Sequence, residues 1–145
     1  MRAAPFAGLL GLLLFSAVPV AGEAQVAVFD VPFRDRAPRV VEDAVRTVAV
    51  GESDPRITRL SARRLSARRR GEARARAAIH RWADEVLAEA RASAMTAAAI
   101  HRVIDEGAVL VGRRPLVAGE MVVVVEVPFA RFRDAPPVPG APWAR

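Results

Sequence analysis

Between Arg59 and Ala90 the chain runs for 32 residues without a proline, in a composition dominated by Ala, Leu, Arg and Glu. That composition predicts one continuous helix. At 1.5 Å per residue it would be about 48 Å long, whereas a domain of about 120 residues is only some 35 Å across. At 100° per residue, Arg63, Arg70, Arg74 and Arg81 fall within about 20° of one direction, and Leu65, Ile79, Ala83, Val86 and Ala90 point roughly the opposite way. The two faces separate cleanly only from Ala75 onward, because Arg68 and Glu72 sit on the apolar side. The expectation is that the C-terminal half packs on a sheet, that the Arg-rich half overhangs or bends at Gly71, and that Arg68 and Glu72 pair on a solvated surface.

The rest of the chain supplies that sheet. Gln25–Phe33, Val40–Val41 and Thr47–Val50 are apolar or β-branched runs, the last ended by Gly51 and the turn formers Ser53-Asp54-Pro55. Thr96–Glu106 predicts a second, shorter helix, with Thr96 as its N-cap and Gly107 as its C-terminal cap. Ala108–Val111 and Met121–Val127 then form a closing hairpin around Val117–Glu120. The predicted class is α+β: an antiparallel sheet with a long amphipathic helix and a shorter second one. A single domain over residues 25–133 follows, and residues 134–145, with four of the eleven prolines, predict a disordered tail.

Residues 1–24 have the pattern of a signal peptide. Met1-Arg2 is a short positive start, Phe6–Val20 is apolar apart from Gly, Ser16 and Pro19, and small residues follow at Ala21, Gly22 and Ala24. The apolar run falls short of the roughly 20 residues that cross a bilayer, so the mature chain is expected to be periplasmic or secreted, with no transmembrane span.

Composition narrows the functions open to such a chain. There is no cysteine, hence no disulfide, no thiol nucleophile and no lipidation cysteine. All 22 basic residues are arginine, and the net charge is +6. The excess is local: nine arginines stand against Glu72 alone between Arg56 and Arg76. That is a basic patch on one helix, without interleaved aromatics for base stacking, and it argues against a genomic nucleic-acid target. Neither a nucleophile elbow nor a phosphate-cradling glycine loop is present. Ser61 and Ser66 stand among arginines with no base beside them, so no catalytic residue and no cofactor is expected.

Two features carry candidate sites. Arg63, Arg70 and Arg74 could bind an anionic polymer or a lipid surface. The segments Ala77–Glu85 and Ala98–Glu106 are identical at seven of nine positions. Each holds a His-x-x-x-Asp pair, and residues four apart share a helix face. With the helices side by side, His80, Asp84, His101 and Asp105 could converge on a metal.

The strand ending Val48-Ala49-Val50-Gly51, the small residues Ala67, Gly71, Ala75 and Ala78, and the run Ala77-Ala78-Ile79 with Trp82-Ala83 and Val86-Leu87 resemble the LPP-twenty lipoprotein family. That family is related to the N-terminal domain of flagellar assembly protein T. Ile104–Val111 and Met121–Val127 are similar to its closing hairpin, so the likeness spans about residues 45–127. The resemblance implies a small α+β envelope protein with no catalytic residues to carry over. The missing lipidation cysteine is a departure from the lipoprotein members.

Met121–Val125 lacks alternation, so both faces of that strand need cover. With one helical layer available, Val122 and Val124 are expected in an interface, in a homo-oligomer or against an envelope partner. The function expected is that of an exported, non-enzymatic module acting through protein contacts. Signal-peptide cleavage is expected to leave Glu23 or Gln25 as the first residue, which N-terminal sequencing of the protein from its native cell checks.

Overall fold

The computed structural model describes residues 34–144. The expected signal peptide and the expected strand at 25–33 lie outside the described residues. Strands β1 (Arg36–Val41) and β2 (Ala44–Gly51) form a hairpin, followed by helices α1 (Leu60–Glu89) and α2 (Ala94–Gly107) and strands β3 (Val109–Pro115) and β4 (Met121–Pro128). All pairings are antiparallel, and the sheet order is β1-β2-β4-β3. The closing hairpin thus inserts its valine-rich strand beside β2, and among the described residues β1 and β3 are the edges. The α+β class holds, and the long helix lies within a residue of its expected limits at both ends.

Where that helix packs differs from the expectation. Its buried residues are Ala67, Gly71, Ala75, Ile79, Ala83 and Leu87, so the Arg-rich half does not overhang. Each step of four residues advances about 40° beyond a full turn, so this line winds around the helix and no single face contains it. Leu65, placed on the apolar side by a fixed-face reading, is 43% exposed. The close approach is made by two glycines. A Cβ on Gly51 would stand 1.8 Å from the Ala67 carbonyl oxygen and 2.5 Å from the Gly71 nitrogen, so only a residue without a side chain allows the helix backbone to sit there. Arg68 and Glu72 do pair, 3.0 Å apart, but half-buried beside this seam rather than on a solvated surface.

Register separates the two faces of the sheet. Val45, Thr47 and Ala49 on β2 pair with Val127, Val125 and Val123 on β4, and these residues face the helices. The second helix lies in the same layer as the first, because Ile100 and Ile104 join the same core cluster as Ile79, Ala83 and Val123. It does not cover the opposite face. The N-cap of α2 is Ser93 rather than Thr96: Ser93 Oγ accepts from the Thr96 backbone N–H at 3.1 Å. Gly107 ends the helix from inside, with Ala108 as its C-cap. α1 stops in a 6→1 and 5→2 pair of bonds, Ala92 N to Leu87 O and Arg91 N to Ala88 O, with Arg91 in the left-handed region at φ 52.

The proline-rich end is not a disordered tail. Phe132, Val138 and Ala141 are buried in the core. Trp143 stacks on Phe132 with ring centroids 4.8 Å apart and meets Trp82 of α1 edge-on at 5.6 Å. Four prolines limit regular structure but not burial, and Trp143 carries the segment against α1 through its contact with Trp82.

The Gly51 contact generates a stability series. Gly51→Ala drives a methyl into backbone and is expected to cost at least the roughly 1–3 kcal/mol of an overpacked core. Gly71→Ala is expected to cost less, because its Cβ first meets a side-chain methyl, Val123 Cγ2 at 2.9 Å. Gly107→Ala meets only the side chain of Arg131, at 3.1 Å, and is expected to be near neutral. Thermal denaturation of the three variants gives the order.

Candidate functional site: a crossed histidine–aspartate clasp

The repeated segments lie on two helices that are consecutive, antiparallel and joined by a tight turn. Equivalent residues of the two copies are 21 apart in sequence. In an antiparallel pair, position i on one helix moves toward its partner as position j on the other moves away, so the duplication generates a local pseudo-two-fold axis. The contacts obey it. His80 meets His101, its own copy, while His80 reaches Asp105 and His101 reaches Asp84.

The sequence identified the four residues by the spacing that puts each His and Asp on one helix face; the fold joins them across the two helices. His80 and Asp84 share a helix face, as do His101 and Asp105, yet neither in-helix pair forms the bond. His80 Nε2 lies 2.9 Å from Asp105 Oδ1, and His101 Nε2 lies 2.8 Å from Asp84 Oδ1. The two Nδ1 atoms are 2.6 Å apart. The ring centroids are 4.8 Å apart with an interplanar angle of 26°, so the nitrogens lie between nearly coplanar rings that meet edge to edge. Nor do the four side chains converge on one point: among the described residues no group of three or more His, Cys, Asp or Glu is arranged to hold a metal. The carboxylates occupy the outer nitrogens instead.

Proton bookkeeping constrains this chain of four groups. A carboxylate only accepts, so each Nε2 that faces one must carry a hydrogen. Two neutral rings would then oppose two Nδ1 lone pairs at 2.6 Å, which is repulsive. Two imidazolium rings would oppose two N–H groups. A hydrogen donated by one Nδ1 and accepted by the other satisfies both nitrogens. The clasp is a chain of four side chains, Asp105, His80, His101 and Asp84, joined through the two Nδ1 atoms. His80 and His101 are 24% and 29% exposed, so the line is reachable from solvent.

The candidate arginines are placed differently. Arg74 donates to Asp35 Oδ2 at 2.7 Å and to the Val50 carbonyl at 2.9 Å. Arg70 lies 3.7 Å from Asp54, and Arg63 Nε donates to Ser53 Oγ at 3.2 Å. All three engage the chain at or just after the end of β2 or just before β1, and they tie α1 to the sheet. The acids that meet them, Asp35 and Asp54, are far away in sequence and gave no local signal.

Val122 and Val124 are 0% and 7% exposed within the single chain. Their burial does not require a second subunit. Register places Val50 and Val48 beside them on the face turned away from the helices, and these two are only half-buried.

The chain matches no family model, no curated protein and no solved structure. It is an α+β protein whose described helices lie on one side of the sheet, and no described helix is long and apolar enough to cross a membrane.

The clasp predicts non-additivity. His80→Ala removes the partner of both His101 Nδ1 and Asp105, so most of the clasp is gone after one substitution. In chemical denaturation the His80→Ala/His101→Ala double variant is expected to fall short of the sum of the singles by about 0.5–2 kcal/mol.

Proposed function

We propose that the protein is a non-enzymatic module exported to the cell envelope, and that it works by protein contact through the sheet face turned away from the helices. The observation that carries this reading is the composition of that face. Its apolar surface is half-buried Val48 and Val50, flanked by Val122 and Val124, which are already buried within the chain; the core cluster draws its sheet residues from the opposite side, and its margin is charged. Arg46 pairs with Glu126 at 2.7 Å across β2 and β4. Arg36 and Arg39, in register with Val48 and Arg46, add two exposed positive groups. An apolar centre inside an Arg-bearing rim is the anatomy of a protein interface.

The edges of the sheet support face-on rather than edge-on association. β1 contains Pro38, Arg36 and Arg39, and β3 ends Arg113-Arg114-Pro115. Both edge strands also carry a register shift against their neighbours. Proline, charge and irregularity at an edge oppose strand addition. Exposed Arg36 and Arg39, for which no ion pair is formed among the described residues, oppose two copies of this face meeting each other, so the favoured partner presents an acidic surface. The envelope address is supported by the export pattern of residues 1–24 and by the resemblance to the LPP-twenty family.

A photo-crosslinking amino acid at Val48 or Val50 tests this in intact cells. The expected result is a discrete heavier adduct, absent when the probe stands at exposed Arg69 of α1 and absent when Arg36 and Arg39 are both replaced by Glu. An adduct of twice the chain mass formed by the purified protein would support contact through this face but overturn the acidic partner. Equal labelling at Arg69, or none at Val48 and Val50, overturns the reading.

A further inference from the structure

We propose that His80 Nδ1 and His101 Nδ1 form a two-coordinate site for a monovalent d10 metal ion, Cu⁺, held on the line between the two rings. The proposal is independent of the protein-contact reading, because the clasp lies on the helices and the proposed contact lies on the opposite face of the sheet.

Direction comes first. The two nitrogens face each other edge to edge, 2.6 Å apart, with the rings within 26° of coplanar. Their lone pairs are therefore aimed along one line. A tetrahedral ion such as Zn²⁺ needs lone pairs that converge from an angle, and with only two nitrogens it would need further protein ligands. None is placed to help: no third His, Cys, Asp or Glu among the described residues joins the set. Cu⁺, with a filled d shell, is satisfied by two donors in a line. Of the common biological cations it is the one that repeats the coordination a shared proton has here.

The outer partners fit the same assignment. A metal-binding imidazole generally donates its other N–H to a carboxylate or carbonyl, which fixes the tautomer and strengthens the donor nitrogen. Both rings already have this, through Asp105 at 2.9 Å and Asp84 at 2.8 Å. Asp84 and Asp105 are thus positioning residues and not ligands. Distance asks for a modest adjustment. At about 2 Å per metal–imidazole bond the nitrogens must stand about 4 Å apart, so each retreats by about 0.7 Å. Side chains that are 24% and 29% exposed, backed by aspartates 66% and 60% exposed, can open by that much without moving either helix. Cu⁺ takes the place of the hydrogen shared by the two Nδ1 atoms, any proton displaced leaves to solvent, and no electron is transferred.

The test is an anaerobic titration of the purified chain with Cu⁺ in competition with a chromophoric chelator, bicinchoninate. The expected result is one Cu⁺ per chain. X-ray absorption of the loaded protein is expected to show two nitrogen neighbours in near-linear geometry. His80→Gln and His101→Gln should each weaken binding at least 100-fold, Asp84→Asn and Asp105→Asn about 10- to 100-fold with the stoichiometry kept. Met95, 82% exposed, is the competing soft donor, and Met95→Leu should change nothing. Circular dichroism checks that each variant folds. If a histidine variant does not, nitrogen NMR of the wild type with Ag⁺ gives a variant-free readout, the Nδ1 resonances of both imidazoles shifting together. Three results would overturn the proposal: no stoichiometric uptake by the folded wild type, uptake indifferent to both histidines, or histidine-dependent uptake of Zn²⁺ without that of Cu⁺.

Discussion

The rest of the structure depends on one place where a helix backbone touches a strand. At the end of β2, Gly51 lies under the Ala67 carbonyl and the Gly71 nitrogen, closer than any side chain would permit. Four small residues, Gly51 on β2 and Ala67, Gly71 and Ala75 on α1, let the first half of α1 sit directly on the sheet. This contact fixes the height and rotation of a 30-residue helix whose ends provide little help. Its N-cap makes no side-chain bond, its first turn has no acid and its last turn has no base. Packing, rather than capping, holds it. The arginine ties to Asp35, Ser53 and Asp54 reinforce the same seam from its exposed side.

From that seam the line of buried residues winds onward, and its residues grow. Ile79, Ala83 and Leu87 share one core cluster with Ile100 and Ile104 of α2 and with Phe132 and Val138 beyond β4. The position of the clasp follows from this. His80 directly follows buried Ile79, and His101 directly follows buried Ile100. The duplicated Ala-Ala-Ile-His-Arg therefore sets one isoleucine of each helix in the core and the next residue at the rim, where the two histidines meet. Core packing thereby aligns a polar chain that would not hold two helices together on its own.

The two faces of the sheet are treated differently by the same strand. The odd-numbered residues of Met121–Val127 join the helix-side core. Val122 and Val124 stand outside that cluster, though buried. An uninterrupted valine run reads as a strand covered on both sides, and the structure confirms that both sides are buried. It also shows that the helical layer accounts for only one of them, which is why the face carrying Val48 and Val50 draws the functional proposal.

Local signals determined a good deal of this protein. The proline-free Ala/Arg stretch, the β-branched runs and the glycine-marked turns set the kind and order of the described elements, because backbone propensity and side-chain periodicity act within a few residues. The same sequence named all four members of the clasp, since a duplicated helix fragment shows in the letters alone. What it left open was decided by contacts between distant residues. A fixed-face reading of α1 mistook Leu65 for core, because helix and sheet meet along a winding line. Proline content concealed that Val138 and Ala141 are buried and that Trp143 meets Trp82 of α1. Above all, spacing four apart places His80 with Asp84, whereas the antiparallel turn at 90–93 gives His80 to Asp105. Spacing within a helix says which side chains share a face; only the fold says which face lies opposite.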